Sequence, residues 1–220
     1  FSAKPKNAVE TEQFQSYFKK HGRYTAGVET RYDSSIICSS NKYEYLASGL
    51  KTGMRFHSAP VIRTGDGKPM HLAHTIKADG RWRLFAFGDD KDIGQAGANI
   101  ASLCTYLLDN PNSPIMKYTP AGADIDSVFD LRAVFQCAHQ DMNLEQLPRL
   151  LLPTKGYYGL IDYEKVFCPD FRFGLNIFDL RGLDRKLGAL IVVRPDQFIA
   201  RVQPLDDHTG LEQFFGRFMM

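Results

Sequence analysis

The side chains that could do chemistry in this chain are few and scattered. Cys38, Cys104, Cys137 and Cys168 could serve as thiolate nucleophiles, metal ligands or disulfide partners. None forms a CxxC pair and none has metal-like spacing, which favours four buried thiols in a reducing compartment over two structural disulfides. His71 and His74 stand three apart in a segment read as a strand, so they point to opposite faces and are expected as solvated histidines rather than as a ligand pair. The acidic pairs Asp89-Asp90 and Asp206-Asp207 precede helical segments, where capping accounts for them. Arg194, in the turn Arg194-Pro195-Asp196-Gln197, is read as an ion-pairing residue that fixes the turn, with a ligand role as the alternative. No GxGxxG, GxxxxGK, GxSxG or HExxH occurs, so no catalytic, cofactor-binding or metal-binding residue is assigned.

The elements that would position these residues are clearest near the C-terminus. Ala189 to Val193 is an unbroken, largely β-branched apolar run, as expected of a strand covered on both faces. The turn at 194–197 leads to a return strand at 198–202, and 211–218 then reads as a helix presenting Leu211, Phe214, Phe215 and Phe218, capped by Asp207 or Thr209. Residues 81–87 predict the first central strand, and 93–108 a helix with Ile100, Leu103, Cys104 and Leu107 in one stripe. A strand, a polar loop and a helix mark the place where a thioredoxin carries its CxxC, at the helix end that favours a thiolate. Here the loop 88–94 holds no cysteine, and Cys104 faces the core stripe.

Between these anchors, 109–127 reads as a connection, 129–136 as a strand and 144–152 as a short helix closed by Pro153. The run 154–185 is long for a connector and rich in rings: Tyr157, Tyr158, Tyr163, Phe167, Phe171, Phe173 and Phe178. Those rings either cover a partner or fold back on their own domain. Upstream, Asn7 and Glu10 suggest a capping box for a helix showing Phe14, Tyr17 and Phe18 on one face. Lys19, Lys20 and His21 suit its negative end, and Gly22 stops it. Residues 23–52 form an irregular connector, and two short strands flank Gly65-Asp66-Gly67 as a hairpin. The fold class expected is α/β: a thioredoxin-like mixed sheet flanked by helices, with an N-terminal helical and hairpin extension.

Four segments carry a family resemblance. They are 187–202 (LGALIVVRPDQFIARV), Gly53-Met54-Arg55-Phe56 with Ala59-Pro60-Val61, the run from Asp79 to Asp89 through Arg81-Trp82-Arg83-Leu84-Phe85, and Gly159-Leu160-Ile161-Asp162-Tyr163-Glu164. Together they resemble the C-terminal domain of flavin-dependent aromatic hydroxylases of the phenol 2-monooxygenase group, with yeast and fungal phenol hydroxylases as the relatives expected. The resemblance implies a parent enzyme that uses FAD, NADPH and O2 to hydroxylate phenol beside its hydroxyl, giving a catechol. It implies that 1–52 packs on the upstream FAD and substrate domains of the same polypeptide. It also implies that 53–220 is a thioredoxin-like domain contributing structure and homodimerisation. The flavin motifs of that family have no counterpart here, so none of its catalytic or cofactor residues carries over. The competing reading is a stand-alone thioredoxin-fold oxidoreductase or peroxidase working through Cys137 or Cys168.

The 220 residues suffice for a substantial core, and 44% hydrophobic with 24% charged residues describes a folded chain. A net charge of +2 gives no footprint for nucleic acid or an anionic membrane. No apolar run is long enough for a span, and residues 1–6 lack a signal-peptide core, so a cytoplasmic protein is expected.

Overall fold

The computed structural model describes residues 14–18, 22, 24, 26–174 and 176–220. The expected cap at Asn7 with Glu10, and the basic end at Lys19, Lys20 and His21, lie outside them. Residues 14–18 are helical, with Phe14, Tyr17 and Phe18 all exposed.

The core is built on β3 (Trp82–Phe87). It pairs in parallel with β4 (Phe129–Val134), reached through helix α1 (Asn99–Asp109), and antiparallel with β8 (Ala189–Val193). β8 turns into β9 (Ile199–Gln203), and helix α4 (His208–Phe215) closes the chain. With β1 (Pro60–Arg63), β2 (Lys68–His71) and β7 (Val166–Pro169), the sheet runs in the order β2-β1-β7-β4-β3-β8-β9. A parallel β-α-β unit beside an antiparallel hairpin and a closing helix is the thioredoxin-like arrangement expected from the sequence.

Every residue of β8 is buried, and alternation divides them between two cores. Leu190 and Val192 join Leu84 and Ala86 under α1 and α4, against Ile100, Leu103, Leu107, Leu211, Phe214 and Phe215. Ala189, Ile191 and Val193 join Phe85 and Phe87 on the other face, against Leu46, Leu50, Phe56 and Phe178. That second face is covered mainly by irregular chain around the 3-10 turn Glu44–Leu46 and by the one-turn helix α3 (Ile177–Leu180). The connector read as irregular thus supplies Leu46, Ala47 and Leu50 to the core, all fully buried.

Several elements differ from expectation. α1 begins six residues later than the expected start at Ile93, because Gly94 and Gly97 take positive φ (83° and 85°), a conformation that interrupts a right-handed helix. The expected helix at 144–152 is two 3-10 turns, Leu144–Gln146 and Arg149–Leu151, parted by Pro148, which has no N–H for a continuous helix. The connection at 109–127 contains helix α2 (Pro114–Tyr118), whose first turn is capped by the Ser113 hydroxyl accepting from Met116 N at 3.2 Å. The long connector at 154–185 holds a small hairpin of β5 (Thr154–Lys155) and β6 (Leu160–Ile161), then β7 inside the main sheet, then α3. In the first hairpin, β2 ends at His71 and the chain continues as a 3-10 turn, Leu72–Thr75.

Candidate functional site

At the C-terminal end of β3, where a thioredoxin would hold its reactive thiol, the chain places the carboxylate of Asp92. Its Oδ2 accepts from Ile100 N at 2.8 Å, in the first turn of α1, and its Oδ1 from Gly94 N at 2.9 Å in the loop before it. Burial pushes the Asp92 carboxyl up, against those two bonds. This residue, and not the Asp89-Asp90 pair, caps the helix; Asp89 instead accepts from Lys91 N and from Asn99 Nδ2. Cys104 lies inside α1, 1% exposed, with its thiol pushed up by burial. The helix end that could have activated a nucleophile is therefore occupied by the protein's own cap.

The opposite, N-terminal edge of the parallel strands carries a charged cluster that the sequence reading missed. Arg83 and Asp130 are register partners on β3 and β4, both 0% exposed. Arg83 Nε stands 2.9 Å from Asp130 Oδ2 in an ion-pair contact without hydrogen-bond alignment, and Arg132 Nε donates to the same oxygen at 2.9 Å. Lys165, just before β7 and also fully buried, donates to Asp130 Oδ1 at 2.6 Å and to Asp126 Oδ2 at 2.5 Å. Arg81 and Arg83 share Asp79, and Lys155 bridges Asp126 and Asp162 at 2.6 and 2.9 Å. Burial acts to raise the Asp126 and Asp130 carboxyls, but the surrounding cations hold both below the usual carboxylate range. Asp162, raised by burial and lowered by Lys155, comes out at about 2. Each buried charge meets its opposite, so the cluster is a clamp across β3, β4 and β7 rather than a reaction centre. Its trace in the sequence is the alternation of charged and apolar residues at the start of β3 and β4, where Arg83 stands opposite Asp130.

The clamp also sets the pose of the β5–β6 hairpin. Lys155 ties its base to Asp126, Gly156 N donates to Asp124 Oδ1 at 3.0 Å, and Asp162 N donates to Pro153 O at 2.9 Å. At its tip, Gly156 and Gly159 take φ of 64° and 59°, and Tyr157 and Tyr158 stand 96% and 84% exposed with ring centroids 5.2 Å apart. Leu160, Ile161 and Tyr163 extend the exposed apolar surface. The connector's rings thus divide: Phe167 and Phe178 fold into the domain, whereas Tyr157, Tyr158, Tyr163 and Phe171 face outward. The hairpin thus presents an exposed apolar surface built from Tyr157, Tyr158, Leu160, Ile161 and Tyr163.

The remaining candidates have local roles. Arg194 forms an ion pair with Asp196 and lies over the rings of Tyr32 and Phe198, 5.3 and 5.9 Å from their centroids. Asp207 caps α4 through Gly210 N at 3.0 Å and pairs with Arg201, whereas Asp206 makes no such cap. His71 and His74 are not on opposite faces of a strand: the 3-10 turn after β2 brings their rings to 5.6 Å. Among the described residues no group of three or more His, Cys, Asp or Glu could hold a metal ion, and no helix is long and apolar enough to cross a membrane. Cys38 and Cys168 are buried, while Cys137, only partly buried, has its Sγ 3.1 Å from Met142 Sδ.

A cleft of about 520 Å³ between the end of α1 and the hairpin base offers Arg149 against Asp109 and Asp124, a poor match for a diphosphate. A family model described as "Phenol hydroxylase, C-terminal dimerisation domain" matches residues 30–220. A 3-hydroxybenzoate 4-monooxygenase from Comamonas testosteroni is 53% identical over 212 residues, covering 96% of this chain and 33% of that protein. An FAD-dependent monooxygenase from Aspergillus terreus is 35% identical over 210 residues, covering 94% of this chain and 34% of that protein. The chain thus spans about a third of the length of these curated relatives. A thioredoxin domain of a thiol-disulfide oxidoreductase from Bacteroides vulgatus superposes with a TM-score of 0.46 at 15% identity, over 78% of this chain and 99% of that one.

Proposed function

Because the chain belongs to the family of phenol hydroxylase C-terminal dimerisation domains, we propose that it is the structural and dimerising part of a flavoprotein aromatic hydroxylase. The observation that carries this reading is the family match over residues 30–220 together with relatives about three times as long. The fold supports it, because the helix end that could have activated a thiol is capped by Asp92. The parent's FAD, reduced by NADPH and reacting with O2, would supply the oxygen atom placed on the ring and would be held upstream of this segment. Residues 1–52 would lead from those domains, and 53–220 would form the dimerising unit.

The relative's name points to the substrate. A 3-hydroxybenzoate 4-monooxygenase adds its hydroxyl beside an existing one, the same ortho outcome that turns phenol into a catechol. At 53% identity that relative makes 3-hydroxybenzoate the first substrate to try, ahead of phenol itself; a phenol 2-monooxygenase from Aspergillus fumigatus is 23% identical. The β5–β6 hairpin is the surface we assign to the second copy.

The test is the intact mass, colour and activity of the native gene product. The expected result is a yellow protein well above the 24.9 kDa of this chain that oxidises NADPH in the presence of 3-hydroxybenzoate and releases a dihydroxybenzoate. A colourless protein near 24.9 kDa, inert to phenols, would overturn the reading.

A further inference from the structure

We propose that Arg181, Lys51 and His57 form a binding site for a small organic carboxylate, with Met54 as its apolar wall. These residues, with Gly49, line a cleft of about 280 Å³ on the face of the sheet that irregular chain covers. Small-molecule sites run from roughly 300 to 1,000 Å³, so a cleft at the lower edge of that range suits a small acid rather than a nucleotide.

Backbone geometry brings the lining residues together from two distant segments. Met54 N donates to Lys51 O at 3.1 Å and Gly53 takes a φ of 82°, as in a type II turn with glycine at its third position, so Lys51 and Met54 end up side by side. The chain just before that turn is fastened to the end of α3: Gly49 N donates to Arg181 O at 3.0 Å, and Ser48 N to Gly182 O at 3.0 Å. A Cβ at position 49 would stand 2.9 Å from Arg181 O, so glycine is what lets the two segments approach this closely.

The cleft stands out by charge. Four other arginines that are partly or fully buried meet carboxylates: Arg63 with Asp66, Arg132 with Asp130, Arg194 with Asp196 and Arg201 with Asp207. Among the described residues Arg181 meets none. Its Nη2 donates to Ser58 O and its Nη1 to Leu180 O at 3.3 Å, both of them neutral carbonyls. Two of the five N–H groups of a guanidinium are used in this way. Burial pulls the Arg181 pKa down with no charge opposing it. The two carbonyl bonds fasten α3 to the chain at Ser58, but they leave a half-buried charge unbalanced, and the cleft beside it adds Lys51 and His57 and no acid. A carboxylate supplies the missing charge and presents two oxygens that match the planar guanidinium fork. Met54 gives the organic part of the acid a flexible, polarizable surface. The site is independent of the aromatic chemistry assigned to the parent.

The experiment irradiates the native polypeptide containing residues 1–220 with 4-benzoylbenzoate, whose excited ketone inserts into neighbouring C–H bonds, and maps the labelled residues by peptide mass spectrometry. Mapping by residue keeps this cleft separate from any other acid-binding site on the same polypeptide. The expected result is label at Met54 that benzoate displaces and benzamide, its neutral counterpart, does not. Lys51→Met, at an exposed position, should weaken labelling there a few-fold, and Arg181→Gln about tenfold or more. Absence of label at Met54, displacement by benzamide as effective as by benzoate, or labelling unchanged in both variants would overturn the site. The wild-type competition decides the matter even where Arg181→Gln folds poorly.

Discussion

In the charged clamp, Lys165 pairs with both Asp126 and Asp130. It is fully buried, so Lys165→Met removes the cation those two carboxylates share and leaves Asp130 to Arg83 and Arg132 and Asp126 to Lys155 and Arg81. Breaking a buried ion pair from one side typically costs about 3–5 kcal/mol, and a shift of that size is expected in urea unfolding. The pH dependence follows from the same cations. Asp126, Asp130 and Asp162 have folded pKa values below the ordinary carboxylate value of about 4, so their stabilisation is present above that value and is lost as pH falls through the folded values. Stability should therefore drop between about pH 5 and 2, and Lys155→Ala, which releases Asp162, should flatten the lower part of that slope. The clamp was hidden in the sequence because Arg83, Asp130 and Arg132 alternate with apolar neighbours, the pattern of a half-exposed strand. Only parallel pairing shows that the charged face is buried against itself.

At the scale of elements, the start of α1 is set by Asp92 reaching forward eight residues to Ile100. Asp92→Ala removes the acceptor for two amides and should cost about 1–2 kcal/mol in chemical unfolding. Asp92→Asn keeps one acceptor and should recover roughly half of that loss. Burial raises the folded pKa of Asp92 above its unfolded value, so its contribution is complete below the unfolded value and declines as pH rises through the folded value. The asparagine variant should lack that decline. The hairpin of β8 and β9 was legible because a continuous apolar run and a Pro-Asp turn are local signals. The turn closes with Gln197 at a φ of 72°, the left-handed residue that follows a type I turn in such hairpins. β7 was not legible: four residues ending in Pro169 give no periodicity, and their interior place comes from pairing with β4 and β1. The cap of α1 was missed for the same reason, since loop geometry rather than sequence adjacency brings Asp92 to Ile100.

At the scale of the whole molecule, β3 and β8 serve two cores at once, so packing on either face of the sheet depends on the same central strands. The β5–β6 hairpin stands apart from both cores, which makes its surface separable from folding. Tyr157 and Tyr158 contribute almost nothing to the interior at 96% and 84% exposure, so Tyr157→Ser with Tyr158→Ser should leave thermal unfolding by circular dichroism unchanged. Assembly should respond strongly. In a two-fold dimer each patch occurs twice, so removing two ring anchors from one chain removes four from the interface. At about 2 kcal/mol for each hairpin tip, the loss is about 4 kcal/mol per dimer, close to a thousandfold in Kd. Sedimentation equilibrium of the native protein should then show a dimer for the wild type and a species of half the mass for the double variant at micromolar concentration. An unchanged dimer would move the subunit contact elsewhere and leave the tyrosines to face the parent's own upstream domains. Binding of FAD by the double variant separates these cases, because a hairpin seated on the upstream domains would disturb flavin retention, whereas one seated on a second copy would leave the flavin in place.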